Sequence, residues 1–133
     1  MSVLQWRKEF GVGIKIVDHD HRELIGSIRS RQLELGNCDD PETIIRLLGE
    51  IYAEIAEHFA LEEKLMEQLR HAAFADHKED HETLLDDLRE IMVAVEDEGE
   101  LDEIQLTDDL DRWFSDHFRV HDAKLHREDT DQG

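Results

Sequence analysis

Cysteine is almost absent from this 133-residue sequence. Cys38 stands alone, so no internal disulfide and no paired-thiol redox motif can form within the chain. It adjoins Asn37 in an expected loop and reads as an ordinary thiol. Proline is equally scarce, with Pro41 alone, and there are only seven glycines. Alternating β-branched runs are missing, while Leu, Glu, Ala, Asp, His and Arg dominate, which points to an all-α fold. No apolar run approaches the roughly 18 residues of a membrane span, and Met1 to Phe10 is polar, without the apolar stretch of a signal peptide. A cytoplasmic chain without membrane insertion is therefore expected. Positive charge is also in short supply. Fifteen Lys and Arg against 35 Asp and Glu give a formal net charge of -20, which excludes nucleic acid and anionic membrane as partners because phosphate would be repelled. The acidity is assigned to solvated helix faces and ends, such as Glu96-Asp97-Glu98.

The chain is long enough to bury a real core and is read as one domain over residues 1–133. Residues 1–17, with Gly11, Gly13, Val12, Ile14 and Ile16, are expected to form an extended arm packed on a helical body over 18–128. A first helix should begin near Asp18 to Asp20 and run to Leu35, with Gly36 as its stop and Leu24, Ile25, Ile28 and Leu35 on its apolar face. Asp40-Pro41 is a start signal: Asp as N-cap, Pro at the first helical position, and Glu42 near the positive end of the dipole. The second helix should reach about Arg70, since Ile44, Leu47, Leu48, Ile51, Ile55, Phe59, Glu62 and Met66 recur at steps of three and four. After a break over His71 to Ala75, a third helix runs to about Glu98, before Gly99. A fourth spans about Asp102 to the mid-120s, and residues 129–133 form a tail. Short connections favour an up-down-up-down four-helix bundle.

What the sequence has in excess is histidine: nine residues, where ordinary usage would give roughly three. His58 and Glu62 lie four residues apart, as do His77 and His81. Four residues advance a helix by about 6 Å and turn it about 40° past a full turn, so each pair shares a face. His21 falls near the start of the first helix and His117, with Asp122, on the fourth. Each expected helix therefore offers a ligand. The phase is inward: His58 and Glu62 share the stripe of Ile55 and Phe59, and His81 precedes Leu84 and Leu88. A single histidine so placed is usually a surface or satisfied core residue. Five in one core, with buried acids that cannot stay unpaired, call for a metal.

The ligand mix narrows the metal. Without thiolate, iron–sulfur clusters and cysteine-bound zinc are excluded, and imidazole with few carboxylates suits iron, zinc, copper or nickel. Five histidines and two acids exceed one ion's needs and suit two octahedral ions sharing bridging carboxylates. Two irons are favoured; two zincs or two manganeses satisfy the same chemistry. Spacing alone favours His121, four residues after His117, over Asp122 at five as the last ligand.

In this pattern the chain resembles the hemerythrins, and specifically their bacterial single-domain members. The resemblance is carried by Trp6, Gly11-Val12-Gly13, and Ile16-Val17-Asp18 ahead of His21. It continues through His58-Phe59-x-x-Glu62-Glu63-x-x-Met66, His77-x3-His81 and Trp113-Phe114-x-x-His117-x4-Asp122. It implies that His77, His81 and His117 hold one iron and His21 and His58 the other. Glu62 and Asp122, with an oxo or hydroxo group, would bridge them, and His121 is the fallback ligand. It further implies reversible dioxygen binding in a dry pocket, with nitric oxide as a second candidate ligand. The candidate lining is Leu24, Ile25, Ile28, Phe59, Trp113, Phe114 and Phe118. Phe114 and Phe118 stand where aliphatic residues are common in the family, and Asp20 where Gln is customary. The first two are expected to narrow the pocket and Asp20 to add charge near it.

The expected function is dioxygen carriage, storage or delivery rather than catalysis. The alternatives are a sensor of dioxygen, nitric oxide or redox state acting through a separate, unidentified partner, and a di-iron enzyme such as a nitric oxide reductase or peroxidase. The enzyme would need a proton donor, for which Asp20 and His121 are the candidates. His19, His71 and His126 are expected at the surface.

Overall fold

The computed structural model describes residues 4–6, 15–68, 70–72 and 74–118. Among these residues there are four helices and no strand: α1 (Lys15–Leu35), α2 (Pro41–Gln68), α3 (Phe74–Glu98) and α4 (Glu103–Asp116). Neighbouring helices run antiparallel. Tyr52 of α2 accepts a hydrogen bond from Arg89 of α3, while farther along α2 Glu62 meets the earlier His77 and His81. Arg31 of α1 pairs with Glu54 at 3.3 Å, whereas His21 faces Glu62. Gln32 of α1 reaches Thr107 near the start of α4, and His21 stacks on Phe118 just beyond its end. The architecture is the all-α, up-down-up-down bundle expected from the sequence.

Local chemistry sets most helix boundaries. Asp40 caps α2: its carboxylate accepts from the Thr43 backbone N–H at 3.2 Å and from the Thr43 hydroxyl at 2.7 Å, with Pro41 as the first helical residue. Asp102 caps α4 by accepting from the Gln105 N–H at 3.0 Å. Gly99 ends α3 in the left-handed region, φ 74°, and its N–H closes on the Val95 carbonyl.

The third helix begins at Phe74, inside the break expected over His71 to Ala75, and three other boundaries differ from expectation. The first helix begins at Lys15, so residues 15–17 are helical rather than part of an extended arm. Asp18 therefore lies within its first turn, where the dipole favours a carboxylate, and does not serve as the cap. The propensity cost of β-branched Ile16 and Val17 is too small to stop the helix. Of the rest of the expected arm, residues 1–3 and 7–14 lie outside the described residues. The second helix stops at Gln68, because Arg70 takes φ 53° and the His71 N–H turns back to the Met66 carbonyl at 2.9 Å. That is a Schellman closure with arginine where glycine is usual. In the fourth, the α-helix gives way to a wider π turn at His117–Phe118. The expected continuation to the mid-120s, and the 129–133 tail, lie outside the described residues.

The core runs the length of the bundle through Ile28, Leu47, Leu48, Ile51, Leu88 and Leu110, with Leu4 inserted beside them. A buried polar chain ties down that last residue. The Leu4 N–H donates to Gln32 Oε1 at 2.6 Å, Gln32 Nε2 donates to Thr107 Oγ1 at 2.9 Å, and the Thr107 hydroxyl donates to the Glu103 carbonyl. Gln32 thus joins the N-terminal segment, α1 and α4. No helix among the described residues is long and apolar enough to cross a membrane.

Candidate metal centre

Glu62 is the centre about which the histidines gather, and its two oxygens divide them into two groups. Oε1 lies 3.0 Å from His58 Nε2 and 3.8 Å from His21 Nε2. Oε2 lies 3.1 Å from His77 Nε2, 3.0 Å from His81 Nε2 and 3.5 Å from His117 Nε2. The candidate ligand atoms of Glu62, His77, His81 and His117 all fall within 4.8 Å of one another, as do those of His21, His58 and Glu62. His21, His77, His81 and His117 are buried, and the Glu62 side chain is 14% exposed. Six of the seven residues expected to form the site are thereby brought together. Asp122, the seventh, lies outside the described residues, as do His121 and His126.

Burial alone would push the Glu62 carboxyl up. The imidazole nitrogens of His117, His21, His58 and His77 gathered around it outweigh that and hold the group well below the usual carboxylate range. Glu62 is therefore an ionised, acceptor-only carboxylate facing nitrogens from every helix of the bundle.

Aromatic rings fix two of the imidazoles. Phe118 lies flat on His21, with centroids 3.8 Å apart and planes 7° from parallel, and Phe59 stacks on His81 at 3.8 Å and 4°. Phe114 stacks on Phe118 in turn. Leu24, Ile25, Ile28, Phe59, Phe114 and Phe118 are all buried, while Trp113 is half-buried at the edge of the core. Asp20 is exposed. His19 is a surface residue, paired with Glu23 at 3.1 Å.

Two carboxylates at the site were not anticipated from the sequence. Asp80 Oδ2 lies 2.7 Å from His117 Nδ1, and Glu63 Oε2 lies 3.2 Å from His81 Nδ1. The available signal was adjacency, since each follows or precedes an expected ligand on its own helix. Which neighbouring helix it would reach could not be read from spacing. His71 also departs from expectation. It is buried, because the helix-ending turn of α2 folds it back toward Met66, the residue against which Phe74 packs.

The donor set fits metal. A neutral imidazole carries one N–H. If the neutral rings of His81 and His117 give their Nδ1–H groups to Glu63 and Asp80, no N–H remains for Glu62, and their Nε2 lone pairs face it and each other, 3.2 Å apart. A cation converts that repulsion into ligation. The separations also suit it, since two ligands at right angles on an ion with bonds of about 2.1 Å lie about 3 Å apart.

Comparison with known proteins follows the same lines. The family model described as Hemerythrin HHE cation binding domain matches residues 12–128. The chain is similar to a bacteriohemerythrin of Stenotrophomonas maltophilia, 29% identical over 126 residues, covering 92% of this chain and 78% of that protein. Bacteriohemerythrins of Pseudomonas aeruginosa and Pseudomonas paraeruginosa are likewise 29% identical, over 92% of this chain and 79% of theirs. No solved structure matches the chain.

Proposed function

The chain belongs to the hemerythrin family, and on that premise we propose that it holds two iron ions and binds dioxygen reversibly. The observation that carries this reading is the division of Glu62, one oxygen toward His21 and His58 and the other toward His77, His81 and His117. A carboxylate so placed suits two ions better than one. In this reading His77, His81 and His117 would hold one iron and His21 and His58 the other, with Glu62 and Asp122 offering carboxylate oxygens to both.

When bound, the iron pair supplies two-electron chemistry and an open position for a small ligand. The protein's part is to hold and to exclude. Five imidazoles with few carboxylates put less negative charge on the metals than a carboxylate-rich site would, which favours the reduced pair that binds dioxygen over a strongly oxidising one. Phe118, Phe114 and Phe59 wall the histidines with apolar surface and keep out water, which would otherwise deliver the protons that make oxidation irreversible. Exposed Asp20 does not bring its charge into this wall.

The test is spectroscopic. The iron-loaded protein is reduced, exposed to dioxygen and then deoxygenated through several cycles. A visible charge-transfer band that appears and vanishes with each cycle is the expected result. One-way oxidation on first exposure would overturn reversible binding and favour a redox enzyme or sensor. Metal analysis finding about one ion per chain would overturn the two-iron reading.

A further inference from the structure

Resting on the two-ion reading above, we propose that Asp80 and Glu63 are positioning residues for the three-histidine position, presetting the ligand nitrogens of His117 and His81 before any ion arrives. An imidazole can offer either nitrogen to a metal, and which one it offers is decided by the partner of the other. Here that partner is a carboxylate in both cases: Asp80 at 2.7 Å from His117 Nδ1 and Glu63 at 3.2 Å from His81 Nδ1. In both rings Nε2 is then the inward atom, and it is Nε2 that meets Glu62.

The arrangement crosses helices in sequence. Glu63, next to Glu62 on α2, backs the ligand on α3; Asp80, next to His81 on α3, backs the ligand just past the end of α4. Each of these acids thus sits beside a candidate ligand on its own helix and braces one on the next. Their side chains are 30% and 23% exposed for Asp80 and Glu63, whereas the acids around them at Glu67, Asp76, Glu79 and Glu82 are exposed. Two fully buried imidazoles hold them in place.

A carboxylate behind an imidazole fixes the ring's orientation and raises the basicity of the metal-facing nitrogen, and removing such a partner costs roughly 10–100-fold in metal affinity. Both carboxylates serve the same group of three histidines, so their loss should weaken one ion and not the other. A general packing defect would weaken both.

Zinc(II) separates these cases because it needs no redox chemistry and is silent in magnetic resonance. Metal-free protein labelled with 15N at histidine is titrated with zinc(II) while the imidazole nitrogens are followed. In the wild type, His81 and His117 should coordinate through Nε2 and keep a slowly exchanging proton on Nδ1. Asp80→Ala and Glu63→Ala should each lose about 10–100-fold in affinity at the position reported by His77, His81 and His117, with the His21 and His58 position little changed. Asp80→Asn and Glu63→Gln, which keep an acceptor oxygen without its charge, should fall between, and they carry the test if the alanine variants fail to fold. Unchanged affinity in these variants, equal weakening at both positions, or wild-type coordination through Nδ1 would overturn the inference alone. Wild-type protein that takes up no zinc at His77, His81 and His117 would overturn the two-ion reading together with it.

Discussion

At the scale of single residues, Glu62 bears the most. Among the described residues it is the one carboxylate within reach of five imidazoles from four helices, and those contacts keep it ionised despite its burial. Glu62→Gln preserves the shape but removes the charge and one of the two acceptor oxygens. Iron content after anaerobic loading should fall from two ions per chain to one or fewer, as metal analysis would register. A variant that still loads two ions would deny Glu62 a bridging role. His58, Glu62, His77 and His81 were legible in the sequence because a step of four on a helix fixes a shared face without any tertiary knowledge. Asp80, Glu63 and the flat stacking of Phe118 on His21 were not, because each depends on a neighbour from another helix.

At the scale of the elements, the helix ends can be tested one at a time. Arg70 closes α2 in the left-handed region, where a side chain costs roughly 1–2 kcal/mol. Arg70→Gly should relieve that strain and return part of it as unfolded-state entropy. A net stabilisation of about 0.5–1 kcal/mol is expected in urea unfolding, and a destabilised variant would show that the arginine side chain matters more than its backbone.

Asp40 gives the opposite case. The Thr43 hydroxyl, with help from the backbone N–H groups of Thr43 and Glu42, holds its carboxyl below the usual range. A group whose pKa is lowered by folding stabilises the folded state above its unfolded value, and that contribution disappears as pH falls through the folded one. Asp40→Ala should therefore melt below the wild type at neutral pH. The gap should close on acidification past the usual aspartate value of about 3.9, and a gap that persists there would assign the effect to something other than the charged cap. Asp40-Pro41 and Gly99 could be read in advance because caps are local chemistry. The stop at Arg70 could not, since nothing in its residue type favours that backbone.

The whole molecule is a bundle with a metal-binding core and a surface carrying a net charge of -20. Metal held there would oppose that charge from within and bind the folded state, so its removal should cost stability by mass action, about 2.7 kcal/mol if the metal stands at a hundred times its dissociation constant. The metal-free protein should melt earlier than the loaded one. It should also gain more melting temperature when salt is raised from about 0.01 M to about 0.1 M, since the Debye length shrinks from about 30 Å to about 10 Å and screens the self-repulsion. Equal melting of the two forms, followed by calorimetry, would mean that the histidine cluster contributes nothing to holding the helices together.

By itself, the sequence determined the helical class, most helix boundaries, the apolar faces and the pairs of ligands on single helices. All of these depend on periodicity and capping within a few residues. Only the tertiary structure decided which oxygen of Glu62 faces which histidines, which carboxylates brace His81 and His117, and that Gln32 anchors Leu4 inside the bundle. These are relations between helices, set by how side chains from distant positions meet across the core, and no spacing along one chain segment encodes them. The histidines that opened the question are thus readable from the sequence as a set, while their division around one carboxylate is a property of the fold.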